Sequence, residues 1–457
     1  MSALFSPRHR VLQWRRVWLA LAEAQCRLNL GVPTRAVSAL RAALNRVDLA
    51  AAARHEHRVR HDLVAHLLAY ADAAPAARAV LHLGATSMDV VDNADLLILR
   101  DALGLVRDWL VNVVFALADL ARRHRDRPCL GYTHFQPAQV TTVGKRAALW
   151  CWDFVRDLQE VQGRLDHLAF RGIRGATGTQ AAFLRLCRGS AARVDRLERL
   201  VARRLDFDRC EPVTGQTYSR KVDAAVLAAL AGVAVSVHKF NNDIRLLAGL
   251  REMDEPLAPG QIGSSAMAYK RNPALCERAT GLARFVLALA PSVSQTAAEQ
   301  WLERTLDDSS LRRIALPEAF LAVDGMLQIV LHVARRLVVY PRVIAARLAA
   351  ELPFMATEEI LLEAVARGAD RQAVHERIRR HSLAAARRVK TGGGPNDLLE
   401  RLAADPAFGR VRLDHLLTPK RFVGLAPRQV DRFWAHVVAP LRRRYRRVRR
   451  LKPAIRV

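Results

Sequence analysis

A chain of 457 residues with 72 Lys and Arg against 44 Asp and Glu carries a formal net charge of +28, and its length allows about two to four domains and a large core. It is 51% hydrophobic and only 6% aromatic, dominated by Ala, Leu, Val and Arg, which favours helices over strands. Six scattered cysteines without a CxxC pair exclude a cysteine-based zinc site and point to free thiols in a reducing compartment.

The start, MSALFSPRHR, lacks an apolar signal core, and no unbroken apolar run reaches the roughly 18 residues of a membrane span, so a cytoplasmic protein is expected. An amphipathic helical pattern runs from Trp14 to Leu30 and stops at Gly31-Val32-Pro33. Helical stretches follow at 35–45 and 48–72, then a loop, Leu81-His82-Leu83-Gly84-Ala85-Thr86-Ser87. From Asn93 to Arg125, Leu99, Leu103, Val106, Leu110, Val113, Val114, Leu117 and Leu120 recur at three- and four-residue steps, the pattern of a buried stripe.

A loop from Pro128 to Pro137 breaks that run. Further helices are predicted at 139–168, 190–204, 219–250, 273–299 and 310–338, with a boundary near Pro341 and a break at Lys390-Thr391-Gly392-Gly393-Gly394-Pro395-Asn396. The expected fold class is all-α, an elongated central helical bundle flanked by smaller helical domains. The corresponding divisions are 1–86, 87–340 and 341–457. The charge surplus suits anionic partners, and its densest run is Leu441 to Lys452. A solvated helix end accounts for that tail, with polyanion binding as the alternative.

Polar constellations sit at the helix breaks: Arg60-His61-Asp62, Thr86-Ser87, Thr133-His134-Phe135-Gln136-Pro137 and Gly263-Ser264-Ser265-Ala266-Met267-Ala268-Tyr269-Lys270-Arg271-Asn272-Pro273. The last follows Ala258-Pro259-Gly260-Gln261-Ile262, where glycine and proline oppose regular structure. Such a loop can present a serine to a C–H bond while Lys and Asn hold the negative charge that develops. No Gly-rich dinucleotide loop follows a strand and no metal-ligand cluster occurs, so neither cofactor nor metal is expected.

These segments, with Thr214-Gly215-Gln216-Thr217-Tyr218-Ser219-Arg220-Lys221, Gln300-Trp301-Leu302-Glu303-Arg304-Thr305-Leu306-Asp307-Asp308-Ser309 and Glu351-Leu352-Pro353-Phe354-Met355-Ala356-Thr357-Glu358, resemble the adenylosuccinate lyases of the fumarase/aspartase/argininosuccinate lyase superfamily. The likeness runs nearly end to end. It implies cleavage of adenylosuccinate to AMP and fumarate, and the parallel cleavage of succinylated aminoimidazole carboxamide ribotide (SAICAR) to AICAR and fumarate. By the resemblance Ser264 is the base, Lys270 and Asn272 hold the developing charge, His134 is the general acid, and His61 assists; the alternative for His61 is a helix-capping role beside Asp62.

Arg60, Arg278, Arg304 and Arg313 are the implied anion ligands, with Asp62, Thr86, Ser87, Gln216 and Ser309 completing the substrate contacts. The resemblance also implies a homotetramer whose active sites are shared between subunits, a small-molecule succinyl-nucleotide substrate, and no nucleic-acid or membrane partner. Two departures stand out. The family's Arg-Tyr-containing segment has no room ahead of Phe5-Ser6-Pro7-Arg8, so a misplaced start, another way of holding the phosphate, or a different substrate is expected. Ala268 stands where proline is usual, which loosens the loop. The remaining alternatives are a lyase for another N-succinyl compound and a non-catalytic polyanion-binding relative.

Overall fold

The computed structural model describes residues 1–409, 411, 413 and 418–455. Helices dominate it, as the composition predicts. The first four are α1 (Pro7–Arg27), α2 (Thr34–Ala43), α3 (Leu49–Val59) and α4 (Asp62–Ala73). Helix α1 starts seven residues before the expected Trp14, because Ser6 caps it, its Oγ accepting the His9 N–H at 3.2 Å, and Pro7 occupies the first turn. The stretch 48–72, expected as one helix, is two: Arg60 enters the left-handed region (φ 54) and His61 caps α4.

Next come α5 (Ser87–Arg123), α6 (Val143–His167), α7 (Ala181–Leu186), α8 (Ala191–Arg204), α9 (Lys221–Gly249), α10 (Ala274–Ala298) and α11 (Asp308–Arg336). The predicted stripe on α5 is buried throughout, from Leu99 to Leu120. The 128–137 loop is instead part of a hairpin, β1 (Pro128–Thr133) against β2 (Gln136–Thr142), with His134 and Phe135 at its tip. Two-residue strands β3 (Met253–Asp254) and β4 (Val338–Val339) also pair. The chain continues through α12 (Pro341–Met355), α13 (Thr357–Ala366), α14 (Arg371–Gly392), α15 (Leu398–Ala403), α16 (Ala426–Phe433) and α17 (Ala439–Arg444).

Contacts group the chain into two units, each made of three stretches. Unit 1 comprises Met1–Trp109, Asp157–Val235 and Gly281–Leu327; unit 2 comprises Leu110–Arg156, Ser236–Thr280 and Gln328–Val457. In unit 1, Trp14, Trp18, Tyr70, Phe170 and Phe183 anchor a large apolar cluster. In unit 2, Trp150 meets Phe240 edge-on with centroids 5.3 Å apart, and Ile360, Val374, Leu398 and Phe408 form a separate small core. The basic tail is fastened within unit 2: Arg442 pairs with Asp119 at 2.6 Å, and Asn112 binds the Arg449 carbonyl and the Leu451 N–H. Although no unbroken apolar run suggested it, α9 and α11 are long and apolar enough to cross a membrane; 50% and 61% of their most apolar windows are buried within the fold.

Candidate active site

Unit 1 holds a cavity of about 690 Å³, within the ordinary range for small-molecule sites. Eight of the residues singled out from the sequence line it: His61, Asp62, Thr86, Ser87, Gln216, Arg304, Ser309 and Arg313. The α3–α4 break presents the first two. His61 Nδ1 accepts the Val64 N–H at 3.5 Å and lies 3.5 Å from Asp62 Oδ1, so the capping role and a cavity-facing position coexist. Burial opposes ionisation of Asp62, but the Leu63 N–H and the Arg313 guanidinium, 3.1 Å away, outweigh it and hold its pKa below the usual value.

Thr86 and Ser87 are fixed by a deeper pair. The Thr86 N–H donates to Asp89 Oδ2 at 2.8 Å. The other oxygen of Asp89 accepts from Arg171 at 2.6 Å and from the N–H groups of Arg174 and Gly175. Asp89 and Arg171 are both wholly buried, so removing either would strand a charge. Gln216 accepts from Arg304 Nη1 at 3.3 Å and donates to the Ala176 carbonyl at 3.0 Å. Burial lowers the Arg304 pKa, with Asp308 opposing that shift.

Sequence reasoning missed a buried ionic network that reaches this cavity through Asp95, Asp308 and Arg312. Arg220 bridges Asp308 at 2.7 Å and Asp92 at 3.0 Å. Arg312 meets Asp223 at 2.5 Å, Asp95 at 3.3 Å and the Tyr218 hydroxyl at 2.5 Å. Burial raises the Asp95 pKa; Arg312 opposes the rise, and repulsion from Asp92 and Asp223 adds to it. Asp89, Asp92 and Asp95 recur every three residues on α5, a spacing that reads in sequence as a solvated polar face. Their partners lie far along the chain, which no local pattern reveals.

The other sequence-derived candidates do not line this cavity. Arg60 is exposed at the end of α3, held by its left-handed backbone. In unit 2, His134 and Phe135 take φ values of 53° and 58° at the hairpin tip. A two-residue hairpin turn of this kind demands positive φ at both positions and normally uses Asn and Gly, so His134 is held there against its own preference. Tyr132, two residues earlier, donates to the buried carboxylate of Glu252 at 3.1 Å.

The loop bearing Ser264 is also in unit 2. Ser264 Oγ accepts the Met267 N–H at 3.2 Å, and the Lys270 N–H donates to the Met267 carbonyl at 2.9 Å. Gly263 packs so tightly on the Lys270 carbonyl that a Cβ would lie 2.3 Å from it, so glycine is required for the two limbs to close. Beyond the loop Asn272 is partly buried, and Arg278 is exposed on the first turns of α10. Both loop ends are tied down. Glu255 accepts the Leu275 and Cys276 N–H groups at 3.0 and 2.9 Å, capping α10, while Arg271 donates to Tyr340, which donates to Asp254. Ala268 sits in an exposed turn. Among the described residues no group of three His, Cys, Asp or Glu is placed to hold a metal ion.

Comparison with known proteins adds the following. A family model described as Lyase matches residues 12–288, and one described as Adenylosuccinate lyase C-terminus matches 353–433. Adenylosuccinate lyase from Saccharomyces cerevisiae is 50% identical over 438 residues, 95% of this chain and 91% of that protein. The one from Schistosoma mansoni is 42% identical over 96% of this chain and 92% of its own. Among solved structures, the 3-carboxy-cis,cis-muconate lactonizing enzyme from Pseudomonas putida aligns with a TM-score of 0.84 at 26% identity over 97% of each chain. A fumarate lyase from Mesorhizobium sp. BNC1 aligns with a TM-score of 0.82 at 26% identity, covering 95% of this chain and 97% of that one.

Proposed function

The chain belongs to the adenylosuccinate lyase family, and from that premise we propose that it cleaves adenylosuccinate to AMP and fumarate, and SAICAR to AICAR and fumarate, in purine nucleotide biosynthesis. The observation that carries this reading is 50% identity to an adenylosuccinate lyase along nearly the whole chain. The reaction is a β-elimination. A base takes the proton beside a succinyl carboxylate, the C–H electrons become the new C=C bond, the C–N bond breaks, and the nitrogen receives a proton.

In this reading Ser264 takes the proton, Lys270 and Asn272 stabilise the charge that develops on the carboxylate, and His134 protonates the departing nitrogen. His61 orients the substrate. Arg60, Arg278, Arg304 and Arg313 bind its anionic groups, and Asp62, Thr86, Ser87, Gln216 and Ser309 supply further hydrogen bonds. The cavity supports the binding roles, since eight of these side chains share it. The strained hairpin tip supports a role for His134, because strain of this kind persists where geometry is under selection.

The active unit in this reading is a homotetramer with shared sites. Within a single chain the Ser264 loop is open to water, with Ile262 80% and Tyr269 83% exposed, whereas elimination through a carbanion-like state needs water excluded. A cytoplasmic setting suits the six unpaired cysteines. The test is to follow AMP and fumarate release from adenylosuccinate with wild type, Ser264→Ala and His134→Ala. Wild type should turn over, and each variant should lose at least about a hundredfold in kcat. No fumarate from folded wild type would sink the activity, and near-normal rates in either variant would sink its assigned role.

A further inference from the structure

The tip of the β1–β2 hairpin is loosely tied to the ladder that carries it. Gly131 pairs with Gln139 but Tyr132 pairs with Pro137, so Ala138 is an extra residue and the ladder is bulged there. Pro137 has no N–H to give its partner. Residues 133–139 are all exposed, so none of the tip side chains is buried in the body of unit 2. Yet His134 and Phe135 both keep positive φ, 53° and 58°. Strain of this kind persists only where surrounding contacts fix it.

Tyr132 is where the tip meets the body of unit 2. Its ring lies 5.7 Å from that of Phe135 and packs on the cluster of Leu130, Val140, Leu348 and Leu352. Its hydroxyl donates to Glu252 Oε1 at 3.1 Å, and Arg347 Nε donates to the same oxygen at 3.1 Å. Glu252 is a fixed point. It is wholly buried, its N–H donates to the Leu247 carbonyl, and its carbonyl accepts the Tyr340 N–H, both at 2.9 Å. Burial raises the Tyr132 pKa, so the hydroxyl keeps the proton it donates. On the returning strand Gln139 donates to Glu358 at 3.2 Å, but that contact is exposed and competes with water.

We propose that Tyr132, held by Glu252 and Arg347, is a positioning residue that fixes the direction in which His134 is presented. This rests on the reading of His134 as the general acid. Proton delivery to a departing nitrogen depends on distance and angle. A displaced imidazole therefore slows the chemical step while the contacts that bind substrate persist.

The test uses the full chain with three variants. Tyr132→Phe deletes the hydroxyl and keeps the ring, Glu252→Met removes the acceptor, and Glu252→Gln keeps an acceptor in the same place. Initial rates with adenylosuccinate are read beside thermal unfolding. Tyr132→Phe should lower kcat about tenfold and leave KM within about twofold. Glu252→Met should lose at least as much, and Glu252→Gln should recover most of the loss. Added to His134→Ala, Tyr132→Phe should cost nothing further, since no imidazole remains to be placed.

Wild-type kcat in Tyr132→Phe overturns the proposal, as does a rise in KM with kcat unchanged. The same tenfold loss repeated on the His134→Ala background overturns it too, because Tyr132 would then act independently of the histidine. Should Glu252→Met fail to fold, Tyr132→Phe and its cycle with His134→Ala decide. The outcome is separable from the acid assignment. A near-normal His134→Ala sinks that assignment and this proposal with it, whereas a crippled His134→Ala beside a near-normal Tyr132→Phe sinks this proposal alone.

Discussion

His82 shows how one side chain can set a pH limit on the fold. Its Nδ1 accepts the indole N–H of buried Trp18 at 3.0 Å, so that nitrogen must stay unprotonated. Burial lowers its pKa below the ordinary 6.5; Asp89 opposes the shift and His61 adds to it. In the unfolded chain His82 takes a proton near pH 6.5, before the folded form does. Its contribution to stability is therefore complete above that pH and is lost as pH falls from 6.5 toward the lower folded value. His82→Asn should retain an acceptor where Nδ1 now sits and tolerates the left-handed backbone found there (φ 69). Between pH 7.5 and 5.5 the variant should lose less Tm than wild type; an equal loss would show that His82 is not the responsible group. None of this was legible in the sequence, where His82 is only a polar residue in a glycine-containing loop.

At the scale of elements, the sequence revealed what local patterns encode. The α5 stripe was readable because burial repeats at helical spacing, and the polar constellations at Thr86-Ser87, Thr133–Pro137 and Gly263–Pro273 were readable because glycine or proline marks the break that carries each. The α3–α4 break was not, because Arg60 takes the left-handed conformation with no Gly or Pro there to signal it. The hairpin was hidden for a similar reason, since His-Phe is not a hairpin-tip sequence. Two glycines of α6 sharpen the point. A Cβ on Gly144 would lie 2.4 Å from the Ala121 carbonyl oxygen and 2.4 Å from the Arg125 Cα, so α5 and α6 approach through it. Gly163 faces open space. Gly144→Ala should cost about 3 kcal/mol through forced backbone displacement, while Gly163→Ala should stabilise by roughly 0.5–1 kcal/mol. Urea unfolding of the two variants beside wild type checks both signs, and similar effects from the two would refute the packing argument.

For the whole molecule, the shared-site proposal turns on what a lone chain leaves uncovered. Tyr269 in the signature loop, Phe135 beside His134, and Trp301 and Leu302 just before Arg304 are 83%, 50%, 70% and 98% exposed. Large apolar side chains in such numbers next to candidate catalytic groups imply cover from another surface, and copies of the same chain are the commonest source. If His134 and Ser264 reach one site from different subunits, two inactive proteins can repair each other. His134→Ala supplies an intact serine and Ser264→Ala an intact histidine. In tetramers mixed at random from equal amounts, a given site receives both intact groups in one of four chain combinations. Dissociating the two variants together and reassembling them should therefore restore about a quarter of wild-type turnover. Each variant carried alone through the same procedure should stay inactive. Mixed tetramers that form, as read by native mass spectrometry of differently tagged chains, yet remain inactive would place both groups on one chain and end the shared-site proposal.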